Sequence, residues 1–490
     1  MRMFFLAMLM VLAVPAAAQV EADVPAGVSE GLALLQQGQA EAALARLDAA
    51  LAEAELPRER GAIERLRGFI LAEMGRLPEA RAAIEVAVAS APAPPAPLLA
   101  MLFKLRALTD DPAAAAETLV LLAASDRGEL EGLPTALVGR VRAGLAKDEA
   151  RAFDLDFALV TAGWTGEGGD DDTLDGLRMQ VIGGLLARER GDEARAMLGE
   201  IVSPNMLLRM GIDRRYAALW RDVEARLGPG ARTASAADVA RARARFEAAP
   251  DDLGARRLYA QALNLAAREA EALKVAQAAG LEGAALDALS NQDLWLVALE
   301  AQLLAHFGRE EEALARYDAL AESRLEGRPD LIGPIIARAL FAVALDRPEA
   351  ALAAADYART HEALASPSGR LFIDAARACA LAARGEGAAA AGAATALMAE
   401  KGENRRAALM ALICLDRLDE AAALVVSALQ DPQQRTDMLW ELQPFLIASH
   451  DGATDLQARA AMRALKARAD VKAAFEAAGR DLPKAVSPPR

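Results

Sequence analysis

The stretch GWTGEGGDDDTLDG, residues 163–176, gathers Asp170, Asp171, Asp172 and Asp175 and is the nearest approach to a metal site in the chain. Calcium takes oxygen ligands at alternating loop positions in the order D-x-D-x-D-G, closed by a glutamate. Here the carboxylates are consecutive, so the order fails and a solvated acidic loop is the better reading. His306, His361 and His450 stand singly, with neither an H-E-x-x-H pattern nor cysteines at zinc spacing, and each reads as a surface or interhelix residue. A G-x-S-x-G elbow and a phosphate-cradling glycine loop are both absent. No metal, no cofactor and no catalytic constellation is expected.

Cys379 and Cys414, the only two cysteines, lie 35 positions apart. In an oxidising compartment they could pair; otherwise they are two small buried hydrophobes. On equivalent helices of neighbouring repeats, their backbones would commonly be further apart than a disulfide allows. Both readings stay open.

The elements that must position any site are written in a repeated phrase. Residues 38–51 read GQAEAALARLDAAL and residues 75–88 read GRLPEARAAIEVAV. In register, Gly38, Ala43, Leu47 and Ala50 match Gly75, Ala80, Ile84 and Ala87. The last three of each set share one helical face, and the glycine precedes that helix where the chain must turn sharply. Upstream, Gly31 with Leu34 and Gly68 with Leu71 mark a partner helix. Small residues there let two backbones approach closely.

This pattern resembles the tetratricopeptide repeat, a helical hairpin of about 34 residues. The resemblance is sharpest over Glu30 to Leu51 and Leu66 to Pro92. Further copies place Asp111, Ala116, Val120 and Ala123 in the same slots, then Ala267, Ala272, Ala276 and Ala279, then Gly308, Ala313, Tyr317 and Leu320, then Asp416, Ala421, Val425 and Ala428. Looser echoes start at Gly191 and Asp346. The interval from Gly308 to Asp416 is 108 residues, or three times 36. The resemblance implies an all-α fold, a right-handed superhelix of stacked antiparallel hairpins (a TPR-like α-solenoid), because one hairpin cannot bury its apolar face alone.

The chain opens MRMFFLAMLMVLAVPAAAQ, with Arg2 before a short apolar run and Ala16-Ala17-Ala18 before Gln19. This reads as a cleavable bacterial signal peptide, residues 1–18, and places the mature protein in the periplasm. No later stretch is long and apolar enough to span a bilayer. Net charge is 55 − 70 = −15, or −16 without Arg2, which gives no electrostatic case for nucleic acid or an anionic membrane. Interruptions at 91–98, 163–176 and 227–238 and a frayed tail divide the mature chain into segments 19–229, 230–480 and a flexible 481–490. In the 227–238 stretch, Ser235 or Asp238 is placed to cap the next helix.

By the resemblance, such solenoids bind peptides or helices along the face lined by the first helix of each hairpin. That mapping picks out Arg65 and Phe69, Trp295 and Gln302, and Arg406 and Met410 as partner-binding candidates. For Phe69, Trp295 and Met410, interhelix packing competes as an explanation. The leading reading is a non-catalytic periplasmic scaffold for a protein or peptide partner in the envelope, helping assemble a secretion, motility or cell-wall complex. Two alternatives stand beside it: an envelope enzyme or enzyme regulator with its site in 127–240, and a self-assembling structural solenoid. Some periplasmic lytic transglycosylases also build a helical superhelix and carry a catalytic Glu-Ser pair. The one such pair here, Glu322-Ser323, ends a repeat helix and reads as a polar helix terminus.

Overall fold

The computed structural model describes residues 26–166, 171–322, 328–402, 404–444 and 453–488. The expected signal peptide, Asp170, Ser323 and His450 lie outside them. The described chain is helical throughout, with no strand beyond an isolated antiparallel bridge between Asp213 and Gly479. It is an all-α solenoid of antiparallel hairpins, divided into two compact units between Leu185 and Leu186. Among the described residues, no helix is long and apolar enough to cross a membrane.

The repeated phrase folds as its spacing predicts. Gly38 and Gly75 adopt φ of +76° and +75°, the left-handed conformation that ends one helix and starts the next. The slots behind them, Ala43, Leu47 and Ala50 and then Ala80, Ile84 and Ala87, are all buried. Gly31 and Gly68 pack against the aliphatic slot of their own hairpin. A Cβ on Gly68 would stand 2.5 Å from Ile84, and one on Gly31 would stand 3.0 Å from Leu47. The same turn recurs at Ala267, Gly308, Asp346 and Asp416, again with buried slots five, nine and twelve residues on; only Ala279 is half-buried.

Some copies are shifted or new. The turn expected at Asp111 is made by Asp110, at φ +59°, and Asp111 instead caps the following helix by accepting from the Ala114 N–H at 3.1 Å. The buried slots are therefore Ala115, Leu119 and Leu122. The echo at Gly191 belongs to Glu189, at φ +60°, with Ala194, Leu198 and Ile201 behind it. A copy unseen in the sequence starts at Gly385 and buries Ala390, Ala394 and Leu397. With Asp346 it fills the interval between Gly308 and Asp416.

At many of these turns the next residue is an arginine whose N–H groups clamp a glutamate three residues on. Arg76–Glu79, Arg190–Glu193, Arg268–Glu271, Arg309–Glu312 and Arg417–Glu420 form this pair. The arginine holds each glutamate below its ordinary pKa, chiefly through the hydrogen bond.

Several boundaries differ from expectation. The division at 185/186 falls inside helix Asp171–Ala187 rather than near 230. Around 230 the chain makes a tight turn through Gly228, Gly230 and Ala231, all at positive φ, and helix Arg232–Ala248 begins directly after it. Ser235 and Asp238 thus lie inside that helix, and Asp238 pairs with Arg241 at 2.6 Å. The acidic stretch of 171–175 likewise enters a helix, where Asp175 is fully buried and accepts from Arg178 at 2.8 Å. The tail is not frayed over its described residues: Leu482 and Val486 are buried, and the Leu482 N–H donates to Gln443 Oε1 at 3.0 Å. A glycine-proline turn reads as a linker in sequence, but here the tail covers it, with the Gly230 N–H donating to the Ala485 carbonyl at 2.8 Å.

These contacts join the two ends of the C-terminal unit. Asp213, fully buried, accepts from the Thr436 hydroxyl at 2.6 Å and from the Arg215 guanidinium at 2.8 and 3.0 Å. Arg480 donates to the Gly211 carbonyl at 2.8 Å, pairs with Glu224 at 2.6 Å and lies 3.7 Å over the Trp220 ring. Every charge in this cluster is matched, which is what burial requires of it.

Candidate partner-binding groove

The C-terminal unit contains an open cavity of about 850 Å³. Its floor is supplied by the first helices of successive hairpins: Ile332–Ala344 gives Leu340 and Val343, Pro367–Ala383 gives Phe372, and Arg405–Cys414 gives Leu409, Met410 and Ile413. Repeat geometry explains the alignment. Leu340 and Met410 each lie six residues before the left-handed residue of their turn, at Asp346 and Asp416, so they occupy the same position on equivalent helices. Met438 and Trp440 of helix Arg435–Glu441 form one wall, and Ala458 and Met462 of helix Ala453–Ala467 form the other.

At this floor, where Cys414 itself lines the cavity, two first helices are covalently joined. Cys379 and Cys414 form a disulfide with Cα atoms 5.1 Å apart. The neighbouring-repeat distance does not keep them apart: helices Pro367–Ala383 and Arg405–Cys414 pack against each other, and Ala376, Ala380, Ala407 and Ala411 are among their buried residues. Alanine at these positions lets the helix axes approach closely.

The rim is charged but internally paired. Arg405 bonds Asp431 at 2.9 Å, Arg406 lies 3.4 Å from Glu441, and Arg209 pairs with Asp437 while its guanidinium sits 5.1 Å over the Trp440 ring. Asp374, on the same helix as Phe372, is pushed above the usual carboxylate range by burial, against the pull of Arg359. Its ion pair with Arg359 of the preceding hairpin ties it to packing between repeats. Among the described residues, no group of His, Cys, Asp and Glu could hold a metal ion. The arrangement therefore suits apolar contact with a charged border, the chemistry of recognition surfaces.

Comparison with known proteins adds little. No family model matches the chain, and no curated protein matches it. Two similar solved structures are the yeast Tom70 crystal structure and the TPR domain of P58(IPK). The first is 11% identical, covering 92% of this chain and 98% of that one with a TM-score of 0.34. The second is 13% identical, covering 81% and 99% with a TM-score of 0.21. At those scores neither carries an argument about function.

Of the sequence-derived candidates, Arg406 and Met410 line the groove together. Trp295 and Gln302 lie on helix Asn291–His306, outside the groove lining; Trp295 is 43% exposed, and Gln302 hydrogen-bonds the Tyr317 phenol. Burial pushes that phenol up to about 12, partly offset by Gln302. Arg65, exposed, and Phe69, half-buried, lie on helix Pro57–Glu73 in the other unit. His306 and His361 each pack edge-on against an aromatic, Phe307 and Tyr357. Sequence reasoning missed Leu340, Phe372, Trp440 and the 453–467 helix. The rule that chose Met410, applied to the turn at Asp346, would have found Leu340.

Proposed function

We propose that this protein is a non-catalytic interaction scaffold that takes a helical or extended segment of another protein in the groove of its C-terminal unit. The observation carrying this reading is the apolar floor that Leu340 and Met410, at equivalent positions of their repeats, build with Phe372 of the intervening first helix under one continuous cavity. Stacked hairpins produce such a surface by construction, since each repeat presents the same face to the same side. The region 127–240 supports the reading as well: its described residues continue as packed helices, and its buried carboxylates Asp156, Asp175 and Asp213 are each paired with an arginine.

An envelope location fits the opening sequence, which has the order of a signal peptide, and a cystine is stable in an oxidising compartment. In that setting the partner is another exported protein, and the scaffold would help assemble or position an envelope complex.

The test is crosslinked capture from the protein's own envelope fraction, comparing wild type with a Phe372→Ala, Arg406→Ala and Met410→Ala variant shown to be folded by circular dichroism. Loss of one partner with the variant is the expected result. Equal capture by both proteins would remove the groove as the binding surface.

A further inference from the structure

Helix Ala453–Ala467 touches helices Ile332–Ala344 and Arg405–Cys414, whose residues form part of the groove floor, and it is sparsely buried. Of residues 454–467 only Leu465 is buried, whereas nine residues are buried in helix Pro367–Ala383 and six in Arg405–Cys414. Its groove-lining residues are Thr454, Asp455, Gln457, Ala458 and Met462, with Thr454, Ala458 and Met462 at the spacing of one helical face, and Leu465 beyond them is buried. Leu456 points outward and is 48% exposed. Its first turn is capped from outside, by the Asp346 carboxylate accepting the Thr454 N–H at 2.7 Å. The segment that follows is firmly anchored, through buried Val471, Phe475, Leu482 and Val486. The open volume of about 850 Å³ remains beside Ala458 and Met462, so the resident helix does not fill the space it faces.

Resting on the groove reading above, we propose that this helix is a displaceable internal occupant, and that the partner is an amphipathic helix with bulkier apolar side chains where the resident has alanine. Such a helix docks with its N-terminal turn at Asp346 and its apolar stripe on Leu340, Phe372 and Met410. It wins by filling volume that Ala458 leaves empty, since only a differential interaction shifts an equilibrium between occupants. The resident helix, tethered at high effective concentration, excludes weaker helices.

The experiment uses the full chain and a labelled peptide of residues 453–467 carrying Ala458→Leu, followed by fluorescence anisotropy, with hydrogen exchange on the protein. Wild type is compared with a released variant, Ala458→Glu with Met462→Glu. The expected results are faster exchange for 453–467 than for 469–478 in wild type, and peptide binding at least about tenfold tighter to the released variant. If the double variant fails to fold, Thr454→Pro removes only the resident helix's N–H to Asp346, at a first-turn position that tolerates proline, and is expected to shift binding in the same direction. Two outcomes overturn the inference: exchange in 453–467 as slow as in 469–478, or a folded released variant that binds no more tightly than wild type. Either would leave the groove reading standing on its own capture test. Peptide binding to the released variant that Phe372→Ala leaves unchanged would instead remove both.

Discussion

Reducing the Cys379–Cys414 disulfide should lower the stability of the C-terminal unit and leave the N-terminal unit untouched. The cystine closes a segment of 35 residues. Removing that constraint returns chain entropy to the unfolded state worth about 3.8 kcal/mol at room temperature. The unit spans 490 − 185 = 305 residues. At about 2.1 cal/mol/K of unfolding entropy per residue, its melting entropy is about 0.6 kcal/mol/K, so the midpoint should fall by about 6 °C. If the solenoid melts in blocks half that size, the fall should be about twice as large, because stacked repeats couple only to neighbours. Differential scanning calorimetry with and without reductant measures this, with a Cys379→Ala/Cys414→Ala variant as the reductant-insensitive control. Oxidised and reduced protein melting within about 1 °C of each other would refute the reasoning, since that is far below the entropy-derived shift. An intact mass showing both thiols free in protein isolated without reductant would refute it more directly.

Three further outcomes follow from packing and charge. Gly68→Ala should destabilise the N-terminal unit by about 1–3 kcal/mol, because its Cβ meets Ile84 at 2.5 Å; Gly139→Ala, with nothing within 4 Å, should instead stabilise it by up to about 1 kcal/mol in chemical denaturation. Deleting 481–490 should cost the C-terminal unit roughly 1.5–3 kcal/mol for each of Leu482 and Val486, read as a lower urea midpoint. The glutamates clamped at the repeat turns have folded-state pKa values below their ordinary 4.5, so their contribution is present above that pH and is lost as pH falls through the depressed values. The melting temperature should therefore decline below about pH 4.5, less steeply in Glu420→Gln than in wild type.

The repeat was legible where a small, a large and a small residue followed the turn at the expected offsets, whether Gly38, Gly75 and Gly308 or Ala267 and Asp416 made the turn. It was blurred at Asp110 and Glu189, where a residue with a side chain occupies the left-handed position and a neighbouring Asp or Gly invites a shifted register. It vanished at Gly385, since GEGAAAAGAATALMA is so uniformly alanine that no face contrasts with another. Arg406 and Met410 could be found by position within the repeat. Trp440 and the 453–467 helix could not, because their place in the groove depends on the chain returning across more than 200 residues to Asp213 and Gly211, as the Thr436–Asp213 bond with its separation of 223 shows. Local periodicity does not encode a long-range return.

The joining of residues 204–231 to 436–487 also bears on how this unit comes into being. A chain of stacked hairpins can ordinarily settle one repeat at a time as it emerges, each new unit sealing the last. Here Asp213, Gly211 and Trp220 remain without their covering partners until Thr436, Arg480 and Leu482 have arrived. Assembly is therefore vectorial only up to its final step. A nascent chain presents an uncovered seam, and folding of the unit is gated by its most distal contacts, the slowest kind to form.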